Sequence, residues 1–163
     1  RRRRRRDVHQ QRQQHAVRQG RASAERAATL PCHNQITHGR SRRSDSQKSY
    51  FDYVVSPAMG GILVGYEIAK HIDAKYIFCE RVDGKFTFRR GFCLPKNAKV
   101  LIVEDVITTG KSSLEAIECV KENGGNVIAE ASLIDRSDID IEAKLAIPVV
   151  CLLKIKANYT SNL

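Results

Sequence analysis

Val100-Leu-Ile-Val-Glu-Asp-Val-Ile-Thr-Thr-Gly-Lys-Ser-Ser113 is the stretch on which the fold turns. Its opening run is apolar almost without a break, which suits a strand buried on both faces of a parallel sheet, expected over 99–103. The strand delivers two adjacent carboxylates, Glu104 and Asp105. A small polar loop, Thr108 to Ser112, then leads into a helix expected over 112–123, with Leu114, Ile117 and Val120 on one side and Gly124-Gly125 at its end. Backbone amides at a helix N-terminus, joined by Thr and Ser hydroxyls, make a socket for a phosphate dianion. Gly110 permits the close approach and the positive φ that such a turn uses. Carboxylates beside a phosphate socket repel the phosphate, so they make sense only if they meet hydroxyls or a cation. A ribose 5-phosphate supplies both ends, with its phosphate in the loop and its 2- and 3-hydroxyls on Glu104 and Asp105. The loop is not of the Walker type, because the Gly-x4-Gly-Lys spacing is absent.

Around this centre the chain alternates short strands with helical periodicity. Strands are expected over 51–55, 75–79, 127–134 and 149–155, a hairpin arm over 85–88 after the Asp83-Gly84 turn, and a helix over 60–72 with Ile62, Leu63, Tyr66 and Ile68-Ala69 as its apolar positions. That order describes an α/β fold, a doubly wound and mostly parallel sheet. Ligands of such sheets bind beyond the carboxyl ends of the strands, at the switch point. There the segment Ser56-Pro-Ala-Met-Gly-Gly61 joins a strand to a helix, and Gly60 and Gly61 expose amides where the helix dipole favours an anion.

The formal charge of +10 invites a nucleic-acid reading until it is located. Residues 1 to 50 hold 14 Lys and Arg against 3 Asp and Glu, whereas residues 51 to 163 hold 14 against 15. The basicity therefore belongs to a tail, 1–48, that opens on six arginines and has too little apolar surface to offset the entropy of ordering. It is expected to be disordered or only locally helical; a solvated tail foreign to the domain, a nucleic-acid arm and an organellar presequence all fit its composition. The domain is expected over 49–163. Cys32, Cys79, Cys93, Cys119 and Cys151 show no CxxC spacing and are expected as core thiols in a reducing compartment. Of the five His, only His71 falls in the domain, and none is assigned chemistry. With no apolar run of membrane length, a soluble cytoplasmic protein is expected.

The acid pair followed by Thr-Thr-Gly-Lys-Ser resembles the phosphoribosyl-diphosphate signature of the type I phosphoribosyltransferases, and Ser56 to Gly61 is similar to that family's diphosphate loop. The resemblance spans about residues 51 to 157. It implies the family's fold, a homodimer, Mg²⁺ carried by diphosphate and ribose oxygens with no direct protein ligand, and phosphoribosyl diphosphate bound by Met59, Gly60, Gly61, Arg81, Lys85, Glu104, Asp105, Val106, Ile107, Thr108, Thr109, Gly110, Lys111 and Ser112. The segment Glu80-Arg-Val-Asp-Gly-Lys-Phe-Thr-Phe-Arg-Arg-Gly91, with Arg81, Lys85, Arg89 and Arg90, is similar to the basic loop that closes over the site in the family's orotate branch, often across a dimer interface. Members of that branch carry an additional Lys and a His there, where this chain has Val82 and Thr87, which leaves Lys85 as the catalytic cation beside Glu104 and Asp105. Leu133-Ile-Asp-Arg136 is similar to the Asp-Arg by which that branch holds the orotate carboxylate, and implies Arg136 and Thr108 as orotate ligands.

The resemblance thus implies transfer of a phosphoribosyl group to orotate, in pyrimidine synthesis. The acid pair is shared with purine and uracil phosphoribosyltransferases, from which Arg136 discriminates. A non-catalytic phosphoribosyl-binding regulator with a nucleic-acid-binding tail is the other alternative. The family's N-terminal helical hood has no counterpart in the periodicity of 1–48, so phosphoribosyl diphosphate is expected to bind, and orotate, held chiefly by Arg136, to turn over poorly or not at all.

Overall fold

The computed structural model describes residue 36 and residues 49–156. The expectation of a disordered tail, and the last residues beyond 156, lie outside that range. Ile36 is the exception: it forms an isolated antiparallel bridge with Tyr76, with N···O distances of 3.2 and 3.3 Å, and packs against the sheet.

The elements run β1 (Tyr53–Pro57), α1 (Gly61–His71), β2 (Lys75–Val82), β3 (Lys85–Thr87), β4 (Lys99–Ile107), α2 (Lys111–Glu122), β5 (Asn126–Asp135), α3 (Ile141–Leu145) and β6 (Val149–Lys154). They form one six-stranded sheet in the order β3-β2-β1-β4-β5-β6, parallel except for the β2–β3 hairpin. From the centre, β1 crosses to β2 in one direction and β4 crosses to β5 in the other. Right-handed crossovers running in opposite directions place α1 and α2 on opposite faces. The doubly wound expectation is met, with the switch point between β1 and β4.

Period-2 alternation sorts the core accordingly. Tyr53, Val55, Ile77, Cys79, Val100 and Ile102 pack with Ala116, Ile117, Cys119 and Val120 of α2. Val54, Tyr76, Leu101 and Val103 pack on the other face with Ala69, Val64 and Ile68 of α1. Ala69 of α1 and Ile117 and Val120 of α2 are buried as expected, and each helix departs from expectation at a leucine. Leu63 is 80% exposed, and α1 buries Gly61 and Gly65 beside the expected Ala69, because its backbone lies too close to the sheet for large side chains. Leu114 is likewise exposed, and α2 seats on Ser113, Ala116, Ile117, Cys119 and Val120.

Three further differences concern extent, cross-linking and an unexpected element. Strand β4 continues through Glu104 to Ile107, four residues beyond its expected end, since pairing with β5 runs to Ile107↔Asp135. Cys79, Cys119 and Cys151 are free, but Cys93 is disulfide-bonded, contrary to the reading of all five as thiols. Helix α3 was not anticipated. Its signals are Asp140, whose carboxylate accepts from Ala143 N at 3.1 Å as an N-cap, and the i,i+4 apolar pair Ile141 and Leu145. Among the described residues no helix is long and apolar enough to cross a membrane.

Candidate functional site

The Gly60-Gly61 turn and the acid pair, far apart in sequence, meet because β1 and β4 are neighbours. A Cβ placed on Gly60 would lie 2.2 Å from Asp105 Oδ2, and one on Gly61 would lie 2.7 Å from the Val103 carbonyl oxygen. Backbone and carboxylate approach as closely as the absence of side chains allows. Met59 stands 83% exposed at the turn, while Ala58 N is tied to Cys79 O at 2.8 Å, fixing the turn to β2.

Strand alternation separates the two acids. Asp105 shares a face with Leu101 and Val103, points toward the start of α1, and accepts a hydrogen bond from Val106 N at 2.9 Å. Glu104 shares the other face with Ile102, lies opposite Ser132, and is only 6% exposed. Desolvation, then the charges of Glu130 and Asp105, push its carboxyl up to about 8. Glu130, fully buried on the same face, accepts from Ser113 Oγ at 2.6 Å and is pushed up to about 7 by desolvation. Sequence reasoning missed Glu130; a lone Glu inside Val127-Ile-Ala-Glu-Ala-Ser132 was its only signal.

These two acids carry a stability signature. Each binds its proton more tightly folded than unfolded, so its contribution is fully present below the ordinary value of 4.5 and is lost as pH rises through about 7 and about 8. Melting temperature should therefore fall between pH 5 and pH 9, which thermal denaturation at constant ionic strength measures; a flat or rising profile contradicts the assignment.

The turn between β4 and α2 presents Thr108 and Thr109 to solvent and places Gly110 at φ 70 as the N-cap of α2. No acidic residue occupies the first turn of α2, where Lys111 and Ser112 are exposed and the first amides lack intrahelical acceptors. Thr109 Oγ1 accepts from Lys111 N at 3.3 Å. The unanticipated α3 supports this turn from beneath: a Cβ on Gly110 would lie 2.5 Å from Ile141 Cδ1, and Lys144 Nζ donates to Thr109 O at 2.6 Å. The exposed Arg136 sits on the same edge, its N bonded to Ile107 O at 2.8 Å. Asp135 beneath it is buried and ion-paired to Lys154 at 3.1 Å. Although burial acts to raise it, the Ser137 hydrogen bonds and Lys154 outweigh that and hold its carboxyl below the usual range.

The basic residues of the hairpin are each engaged by an acidic side chain. Arg81 pairs with Glu115 and covers the Phe86 ring, Lys85 reaches Glu122 at 2.6 Å, and Arg90 and Arg89 reach Glu80 at 2.8 and 3.5 Å. Glu122 ends α2, eleven residues from its start at Lys111. At 1.5 Å per residue Lys85 is thus held roughly 16 Å from the polar turn. The structure gathers Met59 to Gly61, Glu104 to Ser112 and Arg136 at one edge, and holds Arg81 and Lys85 over the flank of α2.

Comparison with known proteins places this geometry. Residues 40–160 match the family model described as phosphoribosyl transferase domain. The chain is 56% identical over 104 residues to the orotate phosphoribosyltransferase of Erythrobacter litoralis, covering 64% of this chain and 53% of that protein. It is 50% identical over 103 residues to that of Maricaulis maris, covering 63% and 52%. The chain thus spans about half the length of the curated relatives it matches. Among solved structures, an adenine phosphoribosyltransferase aligns with TM-score 0.58 at 23% identity, over 65% of this chain and 69% of that one. The orotate phosphoribosyltransferase of Aeropyrum pernix aligns with TM-score 0.56 at 24% identity, over 68% and 64%. At those identities the likeness concerns the fold alone.

Proposed function

The chain belongs to the phosphoribosyltransferase family, and from that premise we propose that it transfers the phosphoribosyl group of 5-phosphoribosyl 1-diphosphate to orotate, giving orotidine 5-phosphate and diphosphate. The observation that carries the reading is the meeting of Gly60 with Asp105 at the switch point, beside a polar helix N-terminus free of acids. The similarity to orotate enzymes, 46% to 56% identical among the relatives, supports orotate as acceptor.

In this reading the 5-phosphate sits in the Thr108 to Ser112 turn, the diphosphate lies against Met59 to Gly61, and Asp105 and Glu104 take the ribose hydroxyls. Mg²⁺ suits the oxygens of diphosphate and ribose. The ion would neutralise diphosphate as it departs. Asp105 balances positive charge developing at the anomeric carbon, and catalysis rests on positioning and electrostatics, with no protein nucleophile. Arg81 and Lys85 act when the hairpin gives up Glu115 and Glu122 and closes, over this site or that of a partner copy in a homodimer. A cytoplasmic enzyme of pyrimidine synthesis is the setting this reaction fits.

Loss of orotate absorbance in the presence of Mg²⁺ and phosphoribosyl diphosphate tests the activity. Arg136→Ala tests the acceptor: it should raise the KM for orotate at least tenfold, while that for phosphoribosyl diphosphate stays within about twofold, as removal of a contact made only to the base requires. Equal effects on both substrates would move Arg136 out of the acceptor site and favour a purine or uracil acceptor.

A further inference from the structure

Beneath the candidate site Glu104 heads a buried polar cluster whose other members, Glu130, Ser132 and Ser113, the proposed chemistry leaves unused. Glu104 of β4 is opposite Ser132 of β5, and Glu130 lies two residues from Ser132 on the same face of the sheet. Glu104, Glu130, Ser132 and Ser113 are 6%, 0%, 5% and 1% exposed. Ser113, in the first turn of α2, donates to Glu130 Oε1, whereas Glu130 Oε2 and Ser132 Oγ are buried with no hydrogen-bond partner among the described residues. The groups acting on Glu104 are Glu130 from β5 and Asp105 from its own strand; Cys79 of β2 feels its charge, and α2 contributes the uncharged Ser113. No Lys or Arg is among them. Two carboxylates at such depth without a cation do not both ionise near neutral pH, because the second charge meets both desolvation and repulsion.

We propose that Glu130 is a positioning residue for Glu104: near neutral pH the two carboxyls hold one proton between them, and the Ser113 hydrogen bond fixes which of them carries it. Glu130 thereby sets the charge with which Glu104 meets the ribose hydroxyls, and links that charge to the seating of α2, whose first turn forms the phosphate socket. The pair is a property of the unliganded chain. Only its consequence for a ligand rests on the phosphoribosyl reading.

The test is carbon NMR of the full chain labelled at the glutamate carboxyls, titrated from pH 5 to pH 9, with Glu104→Gln assigning its signal. Glu130→Gln, which keeps shape and removes charge, should lower the Glu104 midpoint by roughly one pH unit or more. Ser113→Ala should shift it the same way by less, because Glu130 loses the bond that favours its ionised form and takes the proton instead. Should Glu130→Gln fail to fold, Ser113→Ala carries the test. An unmoved Glu104 midpoint in the folded variants overturns the proposal.

Calorimetry with ribose 5-phosphate across the same range reads the consequence. Affinity should rise as Glu104 ionises, and Glu130→Gln should move that rise to lower pH by the interval seen for the carbon signal. A shifted carbon titration with an unshifted binding profile would overturn the positioning role. Failure of every form to bind ribose 5-phosphate or phosphoribosyl diphosphate would instead sink the phosphoribosyl reading, while the carbon titration still decides whether the carboxyl pair exists.

Discussion

Asp105→Asn should lower turnover by about two orders of magnitude or more, equivalent to at least about 2.7 kcal/mol of transition-state stabilisation. The substitution conserves volume, and an amide oxygen can still accept the Val106 N–H that Oδ1 accepts at 2.9 Å. What it removes is the charge facing Gly60 at the mouth of the site, where a cationic ribosyl centre would be balanced. Glu104→Gln offers the internal comparison. Because burial and its acidic neighbours push Glu104 up to about 8, the wild-type side chain is largely neutral at pH 7, and an amide resembles it there. The two variants should therefore differ most at or below neutral pH and converge above pH 8. Steady-state kinetics from pH 6 to pH 9 measures this; near-normal turnover for Asp105→Asn removes Asp105 from the chemistry.

The unequal character of the acids could not be read from the sequence, where they are simply adjacent. Strand alternation assigns adjacent residues to opposite faces, but only the crossovers decide which face is deeper, and only β5 brings Glu130 beneath Glu104. The sheet itself was legible because its information is local: apolar β-branched runs, glycine turns and helical periodicity. Helix faces were less so. Leu63 and Leu114 satisfy a 3.6-residue period yet face outward, since α1 and α2 approach the sheet on small residues and the tight packing belongs to Gly61, Gly65, Ser113 and Ala116. Helix α3 is one turn long, too short for periodicity to register, and its role beneath Gly110 is a tertiary fact. The cations of the hairpin illustrate a different limit. Their clustering is visible in the sequence, but their partners Glu80, Glu115 and Glu122 are chosen by the packing of β2 and β3 along α2.

Gly60 and Gly65 lie one and a half turns apart, and the same methyl group added to each should have opposite consequences. At Gly65 a Cβ would stand 1.9 Å from Ser56 Oγ and 2.9 Å from Tyr76 Cε2, between groups that are themselves fully buried. Neither can withdraw, so α1 must lift from β1 and β2. Overpacking of this kind costs about 1–3 kcal/mol, and Gly65→Ala should lower the melting temperature by roughly 5 °C or more. At Gly60 the colliding atom is the far end of Asp105, at 2.2 Å, and that side chain can rotate away. Gly60→Ala should therefore melt within a degree or two of wild type, while moving the carboxylate and filling the gap where diphosphate and ribose would lie. Loss of a carboxylate's hydrogen bonds to the ligand costs about 1.5–3 kcal/mol, on the order of a hundredfold in affinity at the upper end. Affinity for phosphoribosyl diphosphate with Mg²⁺, read by calorimetry, should fall by that factor in Gly60→Ala and much less in Gly65→Ala below its melting point. If Gly60→Ala binds as tightly as wild type, the ligand does not use the gap between Gly60 and Asp105, and the switch point is not where the diphosphate sits.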